Sequence, residues 1–172
     1  MSNDLDDVRK LRMPVFSWDY EDSIEAERWF LMARAYFDCS HFLFAEMVEE
    51  ELDRNYHRAL VAVSLFMHSI ELLLKAAVVQ AGKEILPSHD LEQLYRQYKK
   101  LYPGKKFEFT GDILSVVTPR SDMPHNEFPR YPMDHTGKPW TGYTHIDIVV
   151  WFVHLDYFEK DFDRLQPLMQ DR

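Results

Sequence analysis

The longest apolar pattern in the chain lies between Ala59 and Val79, where only Ser64, His68, Ser69, Glu71 and Lys75 interrupt the hydrophobic residues. A helix of that composition is hydrophobic almost all round and is therefore predicted to be central. Ser64, His68, Glu71 and Lys75 step by four, three and four residues, so at about 100° per residue they share one narrow stripe. The expected central element, Asn55 to Gly82, is an apolar rod with one polar seam, and Gly82 is its C-terminal stop.

Three further helices follow from the same periodicity. Asp22 and Glu25 form a capping-box start, and Ala26, Trp29, Phe30, Ala33, Phe37, Phe44, Met47 and Val48 keep helical spacing behind it. Glu49, Glu50 and Glu51 oppose the helix dipole at the far end and mark a solvated terminus. After Pro87, Ser88 is the expected N-cap of a third helix over His89–Leu101, ended by Pro103 and Gly104. Thr144 and Asp147 open a fourth helix that should run to about Leu165.

The remaining stretches are irregular. Residues 1–21 read as an aromatic N-terminal arm, and residues 22–172 as one helical domain. An excursion over about 102–143 holds six of the nine prolines and four of the five glycines. Within it, Lys106–Thr110 (KFEFT) alternates like a short strand, and Asp112–Val117 has room for one or two helical turns. The expected fold is all-α, an up-down four-helix bundle with a long irregular excursion before the last helix.

Composition narrows the classes. A chain of 172 residues suits one domain and can bury roughly 70% of its unfolded surface. Cys39 is the only cysteine, which excludes an internal disulfide and a cysteine-built zinc site. The N-terminus lacks a basic start followed by an apolar run, and the longest apolar run is too short for a bilayer, so a cytoplasmic protein without membrane contact is expected. The net charge of −9 disfavours a polyanionic partner, but it is unevenly spread. Residues 1–54 carry 6 basic and 14 acidic side chains, whereas residues 96–138 carry 8 basic and 5 acidic ones. No Glu precedes a His by three residues, so the di-iron pattern of helical bundles is missing, and neither a metal nor another cofactor is expected.

His68–Gly82 (HSIELLLKAAVVQAG), followed closely by Ser88–Tyr95 (SHDLEQLY), resembles the HEPN domains, small helical bundles of prokaryotes and eukaryotes. Phe128–Pro132 (FPRYP) is similar to a stretch seen before the last helix of many such domains. The resemblance implies a homodimer of HEPN type. It also implies a metal-independent endoribonuclease in a toxin, defence or RNA-processing setting, with RNA and a cognate antitoxin or other protein as partners. Active members carry Arg, four to six residues, then His; many members of the Glu-and-Lys type lack that pair. Those act instead as non-catalytic interaction modules that bind RNA, a nucleotide or a protein.

Three Arg–His pairs have the motif's spacing. Arg34 and His41 fall inside the first helix, where the family does not place the motif, and are set aside. Arg120 and His125 are preferred as the catalytic pair over Arg130 and His135, because Ser121 supplies the polar residue that usually follows the arginine. In that chemistry histidine moves the proton of a ribose 2′-hydroxyl, and arginine stabilises the charge on phosphorus oxygens. Glu71, Lys75, Arg130, Tyr131 and His135 are the candidate RNA or ligand contacts. For Glu71 and Lys75 the alternative is structural: an i, i+4 pair that supports the helix. A buried Glu71 must in any case find Lys75, His89 or Arg130.

Overall fold

The computed structural model describes residues 24–49, 55–111, 113 and 146–170. Among them lie four α-helices, α1 (Glu25–Val48), α2 (Tyr56–Gln80), α3 (Leu91–Leu101) and α4 (Ile148–Gln170), with one 3₁₀ turn at Lys105–Phe107 and no strand. The protein is thus mostly helical, as expected. The N-terminal arm and the greater part of the excursion lie outside the described residues.

The periodicity that defines α2 also places it at the centre. Asn55 caps its start, the side chain accepting from the Arg58 N–H at 2.9 Å. Its end is closed by Gly82 at φ 66°, with the Gly82 N–H donating to Val79 and the Lys83 N–H to Val78. That paired closure needs a left-handed residue, which glycine adopts without a Cβ penalty. Between the caps, Ala62, Phe66, Ile70, Leu74, Ala76 and Ala77 are fully buried. By length and composition α2 is apolar enough to cross a membrane, yet 78% of its most apolar window is buried inside the protein. Its apolar surface faces other helices.

α1 buries Ala26, Phe30, Ala33, Phe37, Ser40, Phe44 and Met47, a strict alternation of four and three residues that makes a single seam. Ser40 belongs to this seam because its hydroxyl donates to the Ala62 carbonyl at 2.7 Å, which satisfies the polar group and lets the helices approach closely. The pairings Ser40 with Ala62 and Tyr36 with His68 set α1 antiparallel to α2. On its other side α1 meets α4, also antiparallel. Phe37 and Phe162 lie 4.8 Å apart at the ring centroids, and Phe44 stacks on Trp151 at 6.0 Å. Phe66 of α2 closes the triangle against Phe158 and Trp151, edge to face.

Four local expectations are corrected. The first helix starts at Glu25 behind Ile24, with no side-chain cap bond, so Asp22 is not its N-cap. The third helix starts at Leu91, and its cap is Asp90, whose carboxylate accepts from the Glu92 and Gln93 N–H groups; Ser88 instead accepts from the Asp90 N–H. An anionic cap satisfies two orphan donors and favours the positive end of the helix dipole. The last helix starts at Asp147's cap on Val150 but continues past Leu165 and through Pro167 to Gln170, because buried Met169 holds the final turn. Lys106–Thr110 is not a strand: Lys105–Phe107 is a 3₁₀ turn, and the residues after it bond to α4.

That bonding centres on Asp161, a fully buried carboxylate. It accepts from the Thr110 N–H and hydroxyl, the Gly111 N–H and the Arg164 guanidinium, at 2.8–3.1 Å. Arg164 also donates to the Lys106 and Glu108 carbonyls, so one arginine and one aspartate clasp the whole turn onto α4. The alternating pattern of KFEFT serves this clasp. Phe109 faces the rings of Tyr98 and Phe158, while backbone donors that a neighbouring strand would take go to a side chain.

The closeness of this clasp makes Gly111 obligatory, because a Cβ there would sit 2.6–2.9 Å from the Phe158 ring. Gly111→Ala is expected to lose about 1–3 kcal/mol of stability in urea denaturation. Gly104→Ala, whose Cβ would meet nothing closer than 3.6 Å, should stay near wild type. Equal effects at the two positions would refute the close approach.

Candidate functional site

The polar seam of α2 closes at Glu71. The side chains of Glu71 and Lys75 stand one turn apart on a helix whose other faces are apolar, so both are carried inward: Glu71 is 2% exposed and Lys75 8%. Lys75 Nζ donates to Glu71 Oε1 at 2.6 Å. His89 Nδ1 lies 2.9 Å from the same oxygen, and His68 Nδ1 lies 3.6 Å from Oε2. The His68 ring meets Tyr36 edge-on at 4.5 Å, and the Lys75 ammonium lies 6.0 Å from the centre of the Trp29 ring. Side chains of α2 and of the link before α3 therefore converge on one carboxylate, and Tyr36 and Trp29 of α1 pack on two of its partners.

The electrostatics follow from these partners. Burial pushes the Glu71 carboxyl up, but hydrogen bonding to His68, Lys75 and His89 and the charge of Lys75 outweigh it, holding the pKa at about 2. A group ionised so far below neutrality is a poor general base. The arrangement acts as a knot: it ties the His89 end of the α2–α3 link to the centre of the bundle. Of the three partners expected for Glu71, Lys75 and His89 are found among the described residues.

Arg120, His125, Arg130, Tyr131 and His135 lie outside the described residues, so the structure does not place the preferred catalytic pair. It does place the pair that was set aside. Arg34 and His41 are two turns apart on α1 and face α4. Arg34 bonds Asp38 at 2.8 Å, Asp163 at 2.6 Å and Glu159 at 3.4 Å, while His41 Nε2 lies 3.2 Å from Asp156 Oδ1. Burial pulls the Arg34 guanidinium down, but its bonds to Asp163 and Asp38 raise it overall. A guanidinium surrounded by three carboxylates has its charge compensated and is poorly suited to capturing phosphate.

His41, Asp156 and Glu159 also bring one ligand atom each to within 4.8 Å of one another, the one such grouping among the described residues. An imidazole with two carboxylates is a donor set for a borderline divalent cation. Arg34 already supplies positive charge to Glu159 at this place. Sequence reasoning missed this cluster because its members come from helices more than a hundred residues apart. The only early signal was the common helical face of Arg34, His41 and Asp38.

Compared with protein-family models, curated proteins and solved structures, the chain matches none.

The depressed Glu71 pKa makes the knot pH-dependent. Its folded pKa lies below the ordinary carboxylate value, so its stabilisation is complete above that value and is lost as pH falls from about 4.5 towards about 2. Glu71→Gln should lower stability at pH 7 by about 3 kcal/mol, because Lys75 is left buried without its counter-charge. The variant should also flatten the stability profile across that acid window. Urea titrations at a series of pH values check both, and parallel wild-type and variant profiles would rule the linkage out.

Proposed function

We propose that this chain is a HEPN-like helical bundle that binds RNA as a non-catalytic interaction module. The observation that carries the reading is the knot at Glu71. The two stretches on which the resemblance rests, His68–Gly82 and Ser88–Tyr95, meet there through the Glu71–His89 contact. Binding is preferred over catalysis because many HEPN domains of the Glu-and-Lys type, which this chain resembles, lack the Arg–His pair.

RNA is the partner favoured by charge: in a chain of net charge −9, the basic excess is confined to residues 96–138. Phosphate recognition depends on such local clustering. The same reading makes the protein a cytoplasmic homodimer in a stress, defence or toxin setting, with an antitoxin or other protein as a further partner.

The test is purified full-length protein mixed with labelled single-stranded RNA in excess EDTA, with binding read by anisotropy and integrity of the RNA read on a gel. The expected result is binding that weakens with salt while the RNA stays intact. Absence of binding at low salt would remove RNA as the partner. Cleavage leaving 2′,3′-cyclic phosphate, abolished by His125→Ala, would replace the non-catalytic reading with a metal-independent ribonuclease using Arg120 and His125.

A further inference from the structure

The chain concentrates lysines on one knuckle, and the surrounding structure holds that knuckle rigid. Over residues 96–111 the charged side chains are Arg96, Lys99, Lys100, Lys105, Lys106 and a single carboxylate, Glu108. Lys99 and Lys100 occupy the last turn of α3, and Lys105 and Lys106 occupy the 3₁₀ turn. Lys99 Nζ lies 3.5 Å from Glu108 Oε1, which sets the end of α3 beside the turn. Lys100, Lys105 and Lys106 are exposed, and no described carboxylate forms an ion pair with any of the three.

Beneath these lysines runs a ladder of rings. Tyr98 stacks on Tyr102 at 5.2 Å, Tyr102 meets Phe107 edge-on at 4.9 Å, and Phe109 packs on Tyr98 at 5.4 Å. The Tyr98 hydroxyl donates to the Phe107 carbonyl at 2.6 Å, and the Tyr102 hydroxyl to Ala77 at 2.9 Å. Arg164 grips the turn from α4 through the Lys106 and Glu108 carbonyls. The backbone that carries the lysines is therefore bound to both α2 and α4, and the Lys106 ammonium rests 4.7 Å from the Phe107 ring centre.

A helix end accounts for part of this charge, because cations in the last turn complement the dipole. It does not account for Lys105 and Lys106, which lie beyond the helix and carry like charge into the turn that Lys99 meets at Glu108. Like charge so placed in an otherwise acidic chain is met by a polyanion, and a pre-ordered platform reduces the ordering cost of binding one.

We propose that this knuckle, Lys99 and Lys100 of α3 with Lys105 and Lys106 of the 3₁₀ turn, is the docking surface for the phosphate backbone of single-stranded RNA. The proposal rests on the RNA-binding reading above and names its surface. Four phosphate contacts on a single strand give a salt dependence, log K against log salt, of about −3. Contacts to the backbone alone carry no base preference.

The deciding experiment uses full-length protein and a fluorescent 2′-O-methyl single-stranded RNA, whose blocked 2′-oxygen cannot be cleaved by transphosphorylation. Anisotropy titrations are run across a salt series for wild type, Lys100→Gln/Lys105→Gln/Lys106→Gln, the matching triple Arg variant, and Lys10→Gln/Lys83→Gln/Lys160→Gln as a control for net charge. The Gln variant should lose about 2 units of salt slope and roughly tenfold or more in affinity at low salt. The Arg variant should keep binding, the control should stay within about threefold of wild type, and thermal melts should coincide.

Wild-type binding that the Gln variant retains in full would overturn the knuckle while leaving the RNA reading intact. An equal loss in the control variant would also overturn it, by showing that only bulk charge matters. Wild-type protein that fails to bind would overturn both.

Discussion

A carboxylate inside an apolar bundle exists only if its charge is met where it lies, and the fold around α2 depends on how Glu71 meets that condition. Desolvation of a lone carboxylate would outweigh much of what the neighbouring leucines contribute. His68, Lys75 at 2.6 Å and His89 at 2.9 Å reverse the balance, and the group stays ionised far below neutrality. Lys75 comes from the same helix and stabilises it locally. His89 comes from the far side of the α2–α3 link, so the same charge that makes the helix viable also decides where the chain must return.

Asp161 repeats the principle on α4. It too is buried, and it too is satisfied mainly by a distant segment, the N–H groups of Thr110 and Gly111. One buried carboxylate thus anchors the link before α3 and another anchors the turn after it. Between these two anchors α3 has a fixed place, although it buries only Leu91, Leu94 and Tyr98. The consequence reaches the surface, because the clasp at Asp161 and Arg164 makes the lysine-bearing turn a rigid feature of the protein.

The helices were legible in the sequence because apolar spacing is a local property. The seam of α1 and the near-continuous burial of α2 follow from periodicity, and Gly82 stops α2 as its conformational freedom suggests. Errors arose where a local pattern had two physical uses. Alternation in KFEFT serves a strand, and serves equally a turn whose aromatic face packs inward while its donors go to Asp161. Ser88 and Asp90 both offer N-cap oxygens, and only the path of the link decides between them. Arg34 and His41, set aside as a catalytic pair for their place inside the first helix, face carboxylates of α4 instead.

By itself, then, the sequence determined the helical class, the central place of α2, the polar stripe carrying Glu71 and Lys75, and the confinement of the basic excess to one region. These rest on the period of the helix and on composition, which neighbouring residues are enough to set. Tertiary structure alone decided which groups satisfy the buried carboxylates. Glu71 and His89 are 18 residues apart, and Asp161 and Gly111 are 50 apart. Such pairings are selected by the cost of leaving a buried charge unmet, a cost that arises only once the helices have packed and excluded water.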